Sequence, residues 1–412
     1  MLFVHRCIDF YLNNQGRLIF LITQSVFQSV KTGDGFRKFQ IGSGKFFTVE
    51  KVDDIVKLKA FRAQNNAAII YCKKGKKTQY PLEYNIWEKK PSIRVKLSDN
   101  SLIYKNVKKL VKIKKNRASP STKKSHSPWL IYPISWKSFP NIIAKFSGTS
   151  KYLGKAGITT WMNSVFYVKI LRKYPDGKVL IENLSDIGKI KVTKRRAKIE
   201  PDLLYPLLRG RDVGIWEGKH PENIYILVTN NINRKPIPLK KMQREYPLTL
   251  AYLSKFEMEL RTRSGYIKYF DGKGPYYAIY IVDKNIFRPY RIFWSEMGKF
   301  ASVVISIIND PFLGDKVPMT NNKNMYIPFL KEDEAYFVVS IINHPDARKY
   351  IDAKTLGTST TTRLIAEMKI PQFDIKNKIH KQIVNLAKQI NNNDTRTKTQ
   401  INKLKKLVDS IL

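Results

Sequence analysis

A chain of 412 residues, 43% hydrophobic and 26% charged, has the length and apolar content for two or three packed domains, which excludes a disordered polyelectrolyte. Its 75 Lys and Arg against 33 Asp and Glu give a formal net charge of +42, a field that favours a polyanion, nucleic acid first, although a Lys-, Asn- and Ile-rich composition also raises the basic count without function. Two cysteines, Cys7 and Cys72, exclude a disulfide framework or cysteine-rich zinc site, and the five histidines match no metal spacing, so no metal is expected. The longest early apolar run, residues 18–23, is too short to cross a membrane, and no signal peptide precedes it; the sequence reads as cytoplasmic, without a membrane partner.

Leu2, Phe3, Ile8, Tyr11 and Leu12 recur at helical spacing, and Asn13 to Gly16 end that helix. Residues 17–23 form a short apolar strand of the kind buried on both faces of a parallel sheet. A turn at 33–35 leads to a short helix bearing Phe36 and Phe39. Residues 47–49 and 55–56 are strand candidates, and 67–72 a firm one. The glycine cluster at Gly42 and Gly44 lacks the spacing of a phosphate-binding loop and reads as an ordinary turn. This α/β pattern begins in mid-fold.

Residues 81–128 are expected to be a basic insert. Short strands are placed at 102–104 and 110–111, Lys105, Lys108, Lys109, Lys112, Lys114, Lys115 and Arg117 crowd together, and 119–125 form a flexible linker. Such a run is as readily a solvated face as a track for phosphates. Order returns from Pro128, with Trp129 to Tyr132, a glycine-punctuated stretch at 148–157 and a strand at 164–168. A second basic run holds Lys189, Lys191, Lys194, Arg195, Arg196 and Lys198. It precedes the stretch around which the chain is organised, Leu203 to Val213 with Trp216. There an apolar run meets Pro206 and then the tight turn Arg209, Gly210, Arg211, Asp212. Pro presets one dihedral and Gly allows close approach, so the turn offers two guanidiniums from a fixed backbone; a plain structural corner with Asp212 pairing an Arg explains the same residues. Further on come a strand at 223–228, one amphipathic helix at 248–261, aromatic and basic residues interleaved over 266–294, and helices at 331–342, 376–391 and 398–411.

LLYPLLRGRDVGIW resembles the segment that opens the target-recognition region of single-chain, adenine-specific (N6) DNA methyltransferases of restriction–modification systems. GKAGITTWMNSVFYV and IENL upstream, and EAYFVVSIINHP and IPQFDIKNKIHKQIVNLAKQI downstream, resemble that family's neighbouring segments in the same order. GRLIFLITQSVFQS and VKLKAFRAQNNAAIIYCKKG resemble the second half of its methyltransferase domain. The resemblance implies an α/β partial methyltransferase sheet (second half only, 1–80), the insert at 81–128, a mixed α/β target-recognition domain at 129–330 and a helical C-terminal segment at 331–412. It also implies a role for Phe61, stacking on an adenine swung out of the duplex.

Neither the Phe-x-Gly-x-Gly loop nor the Asn-Pro-Pro-Tyr loop of the family occurs, so no catalytic residue is assigned here. S-adenosylmethionine is expected to be bound by a missing N-terminal half, a candidate separately encoded partner, and the resemblance implies that residues 17–23 lie beside a strand which that half contributes. Double-stranded DNA is the expected partner, contacted through Lys155, Lys194, Arg195, Arg196, Arg209 and Arg211, with Pro206, Gly210, Asp212 and Trp216 shaping the turn. Two other readings stay open: a DNA-binding specificity module without chemistry, and an inert gene remnant.

Overall fold

The structure, a computed structural model, describes residues 2–30, 32–59, 66–92, 103–218, 223–281, 283–355, 360–392 and 397–412. It is mixed α/β, with several sheets and a helical C-terminus, and divides into two compact units: residues 1–148 with 349–356, and residues 149–348 with 357–412. The expected boundaries at 80 and 128 give way to a break after Gly148, because residues 129–133 supply the last strand of the first sheet.

In the first unit the strands β1 (Arg17–Thr23), β2 (Phe47–Asp54), β3 (Ala67–Lys74), β4 (Leu82–Lys89), β5 (Val111–Pro120) and β6 (Trp129–Pro133) lie in the order β1-β3-β2-β4-β5-β6. β3 is antiparallel to both β1 and β2, while β2 and β4 run parallel. Alternation decides what β3 buries: Ala68, Ile70 and Cys72 point into the core. Burial pushes the Cys72 thiol up to about 12. Opposite them Phe27 stacks on Trp129 at 4.5 Å, with Phe36, Phe39 and Phe47 around the pair.

Residues 17–23 depart from expectation. They form an antiparallel edge strand rather than one buried in a parallel sheet, because only β3 pairs with them among the described residues. Ile19 and Leu21 are therefore 63% and 47% exposed, and the preceding stretch leaves Leu2, Phe3, Phe10 and Tyr11 open as well. The linker expected within 81–128 is largely β4 and β5. Their inward residues Leu82, Tyr84 and Ala118 alternate as a strand requires, but the density of Lys hides the pattern. β6 covers only Asn116 to Pro120, so Lys112, Lys114 and Lys115 stand exposed on both faces of a two-stranded extension. The stretch 104–110 is helical, and 55–58 turns instead of extending β2.

The second unit is built on a sheet of order β10-β9-β8-β14-β11-β19, where β8 is Tyr167–Lys173, β9 Val179–Asn183, β10 Arg196–Ile199, β11 Leu204–Leu208, β14 Tyr225–Leu227 and β19 Met319–Thr320. All pairs are antiparallel except β11 with β19. A second sheet runs β16-β15-β20-β7, from β7 (Lys155–Ala156), β15 (Tyr290–Ser295), β16 (Ser302–Ile305) and β20 (Asn324–Phe329). Two small hairpins complete the strands: β12 (Val213–Gly214) with β13 (Glu217–Gly218), and β17 (Ile308–Asp310) with β18 (Gly314–Lys316).

The helix Glu332–Ile342 has three acids in its first turn, where the helix dipole favours them, and buries every residue from Ala335 to Ile342. Lys388 of the helix Lys378–Asn392 reaches its Glu332 and Asp333. The single helix expected over 248–261 is two, Pro247–Ser254 and Glu257–Arg261, broken at Lys255 and Phe256 so that Phe256 can bury its ring.

Candidate nucleic-acid interface

β11 is apolar and buried, with Pro206 opposite Tyr225 on β14. Its end is received by side chains of the neighbouring strands: Asn324 Nδ2 and Thr320 Oγ1 both donate to the Leu208 carbonyl, at 3.1 and 3.3 Å. The chain then turns through Gly210, where a Cβ would come within 2.5 Å of Ser295 Oγ and 3.2 Å of Asn324 Oδ1; only glycine fits without displacing them. Asp212 closes the turn, accepting from the Arg209 backbone N–H at 2.8 Å and from its Nε at 3.3 Å. Beyond it Trp216 sits buried at φ +63°, its N–H donating to Ser302.

The turn therefore presents one guanidinium outward. Arg211 is exposed, while the Arg209 side chain is 18% exposed and held by Asp212. This is the corner geometry that the sequence allowed beside the paired-guanidinium reading.

The second basic run occupies an edge of the same sheet. Residues Lys189, Lys191, Lys194, Arg195, Arg196 and Lys198 are all exposed. Register puts Lys169 of β8 and Arg196 of β10 on either side of Glu182 in β9. Arg196 Nε lies 2.8 Å and Lys194 Nζ 3.9 Å from the Glu182 carboxylate. The hydrogen bond from Arg196, with the charges of Lys194, Arg196 and Lys169, holds that carboxyl below its ordinary value. In the turn between β8 and β9 Asp176 is pushed down to about 2, chiefly by its hydrogen bond from Lys198 and with help from Lys178. Five cations thus meet two carboxylates, which leaves a surplus of positive charge in solvent. Aromatic rings carry part of it: the Arg195 guanidinium lies 5.7 Å over Phe256, and Arg172 and Lys198 lie 4.3 and 4.5 Å over Tyr174.

Lys194, Arg195 and Arg196 are brought together, but Arg209 and Arg211 stand apart from them. Four strand spacings separate β10 from β11, about 19 Å at ~4.8 Å each. Lys155 belongs to neither group: it lies on β7 of the other sheet, 3.8 Å from Asp283. Phe61 lies outside the described residues. Sequence reasoning missed Lys169, Arg172 and Lys178; the signal was there in YVKILRK, whose alternation buries Val168 and Ile170 and turns Lys169 outward.

Among the described residues no three His, Cys, Asp or Glu side chains gather as metal ligands would, and no helix is long and apolar enough to cross a membrane. The glycine turn at Gly42–Gly44 is a short helical turn whose Gly42 N–H donates to Asp9 at 3.1 Å.

No protein-family model and no curated protein matches the chain. Among solved structures it is similar to the type IIL restriction-modification enzyme MmeI in complex with DNA, at 9% identity and a TM-score of 0.46, over 96% of this chain and 46% of that one. It is also similar to the type IIG restriction endonuclease BpuSI, at 10% identity and a TM-score of 0.32, over 96% of this chain and 47% of that one. The chain spans less than half the length of either.

Proposed function

We propose that this chain is the DNA-target-recognising part of a site-specific, S-adenosylmethionine-dependent adenine-N6 DNA methyltransferase of a restriction–modification system. The observation that carries the DNA-binding core of this reading is the face of β8, β9 and β10, where Lys169, Lys194 and Arg196 surround the single carboxylate of Glu182. Cations that outnumber their acidic partners remain free to neutralise phosphates, and released counterions supply the binding free energy. Arg211, on its locked turn, is the group suited to a base edge; Arg209 fixes the turn's shape. Phe61 keeps the base-stacking role that the family resemblance implies.

The glycine turn at Gly42–Gly44 does not fit S-adenosylmethionine. It is tied to Asp9, which accepts from the Gly42 N–H and lies within 2.6 Å of where a Cβ on Gly42 would sit, so the turn offers no open cradle. The cofactor and the methyl transfer are therefore assigned to a partner N-terminal half. The place offered for that partner is the open side of β1, where Ile19 and Leu21 are exposed and no further strand pairs among the described residues.

Titration of a fluorescent duplex at increasing salt tests the reading. Binding is expected to weaken steeply, with about 0.9 unit of log–log slope per phosphate contact. A flat response would remove DNA as the partner. Calorimetric titration of the chain alone with S-adenosylmethionine is expected to give no binding heat, and micromolar binding would move the cofactor site into this chain.

A further inference from the structure

Three aromatic rings of the second unit form a shelf that none of the assignments above uses. The rings of Trp161 and Tyr269 lie 5.5 Å apart and within 13° of parallel; Tyr280 leans against both, at 5.9 and 5.2 Å. Rings in a core would be shielded, yet Tyr269 is 53% and Tyr280 37% exposed, and Trp161 is only half-buried.

The shelf is rigid for identifiable reasons. The Trp161 indole lies flat on Gly265, where a Cβ would come within 1.9 Å of the ring, and Trp161 itself is held at φ +55°. Thr159 and Tyr280 exchange both backbone hydrogen bonds, at 3.0 and 2.9 Å. Beneath them Arg263 is wholly buried and spends its guanidinium on carbonyls: Thr160 at 2.7 Å, Leu260 at 2.8 Å, Ala278 at 3.0 Å, and Tyr276. The Thr160, Tyr276 and Ala278 carbonyls belong to the segments that carry Trp161 and Tyr280, and Arg263 itself directly precedes the helix Ser264–Phe270 that carries Tyr269, so one planar fork ties the three segments together.

Positive charge borders the shelf. Lys268 Nζ lies 5.4 Å from the Tyr269 ring, and the turn after that helix carries Lys273, 85% exposed and paired, among the described residues, with the solvated Asp271, a pairing worth little in water. A preformed π-face with a lysine at its edge, on a chain of charge +42, matches a base with its phosphate better than an apolar protein surface. We propose that Trp161, Tyr269 and Tyr280 form a stacking platform for an unpaired nucleobase, with Lys268 at its phosphate.

The proposal rests on the DNA-binding reading and is separable from it. The full chain is titrated with two duplexes carrying 2-aminopurine, one with the analogue fully paired and one with it in a single-base bulge. The chain is expected to prefer the bulged duplex and to quench its emission. Tyr269→Ala should reduce that preference by roughly 5- to 150-fold and relieve the quenching, the range for loss of one base–aromatic stack. Paired-duplex binding should stay within about twofold, since backbone phosphates dominate it. Tyr269→Phe, which keeps the ring, should restore the preference. If Tyr269→Ala and Tyr280→Ala both leave preference and quenching intact while the paired duplex still binds, the platform is overturned and DNA binding stands. If the unaltered chain binds neither duplex, the DNA reading fails and takes the platform with it. If the substitutions change only the oligomeric state in light scattering, the shelf is a contact between copies and the proposal is wrong.

Discussion

The two sheets expose opposite kinds of surface at their edges. β1 offers Ile19 and Leu21 to water, with Leu2, Phe3, Phe10 and Tyr11 open on the adjoining stretch. β10 and the two residues before it offer Lys194, Arg195, Arg196 and Lys198, with Glu182 and Asp176 as their carboxylate partners among the described residues. Water tolerates the second edge indefinitely, whereas the first loses roughly 1.5–3 kcal/mol for each large apolar side chain that stays uncovered. An exposed apolar edge is a place for a strand from another chain, and a cationic edge repels other copies while attracting a polyanion. On the proposed reading the two edges suit chemically different partners, a protein at β1 and DNA at β10.

Making the edges alike should produce the largest effect. Ile19→Lys with Leu21→Lys gives β1 the character of β10. In multi-angle light scattering the unaltered chain is expected to self-associate alone and to become monodisperse with a co-expressed N-terminal methyltransferase half. The double variant is expected to be monomeric alone and to lose that half. A monodisperse unaltered chain would mean that β1 needs no cover.

A smaller effect separates the two arginines of the central turn. Arg211→Ala should leave the melting temperature unchanged and lower discrimination between DNA sites by roughly 1–3 kcal/mol, the worth of one bidentate base contact. Arg209→Ala removes the pair with Asp212 and should lower stability by about 1–2 kcal/mol, read in thermal unfolding. If both act only on stability, the turn is a corner and nothing more.

The smallest effect tests the charge surplus on the β10 side. Glu182→Gln removes the carboxylate among three cations and should tighten duplex binding slightly, because the site is solvated and screened. The sign with pH follows from the same shifts. Both carboxyls are held below their ordinary values, Asp176 at about 2, so both stay ionised down through pH 5. Their contribution to DNA affinity is then constant from pH 8 to 5, and would strengthen binding only where protonation begins, further into acid. A fluorescence titration showing that Glu182→Gln changes the pH profile above 5 would contradict this.

The sequence carried the elements more reliably than their neighbours. Residues 67–72 and 331–342 could be read because their pattern matches the face each buries. Residues 17–23 could not, since an unbroken apolar run looks the same in a buried strand and in an edge awaiting cover; only the strand order tells them apart. Residues 111–120 misled for the opposite reason: lysines on both faces of an extension mask the strand beneath. At the site, clustering in sequence found Lys194, Arg195 and Arg196. Lys169 joins them through strand register, a long-range fact that no local window contains. The pairing of Arg209 with Asp212 was legible as one of two options, and geometry had to choose.

The lock beneath the central turn has an evolutionary corollary. Gly210, the Leu208 carbonyl and the side chains of Ser295, Thr320 and Asn324 hold the loop from below, while Arg211 projects from above and contributes nothing to that hold. On the proposed role of Arg211, exchanging the residue at 211 would alter sequence preference without retuning the scaffold. Gly210 admits no such exchange, because any side chain there must first move Ser295. On that reading tip and base are uncoupled, and a change of target site would be within reach of a single codon.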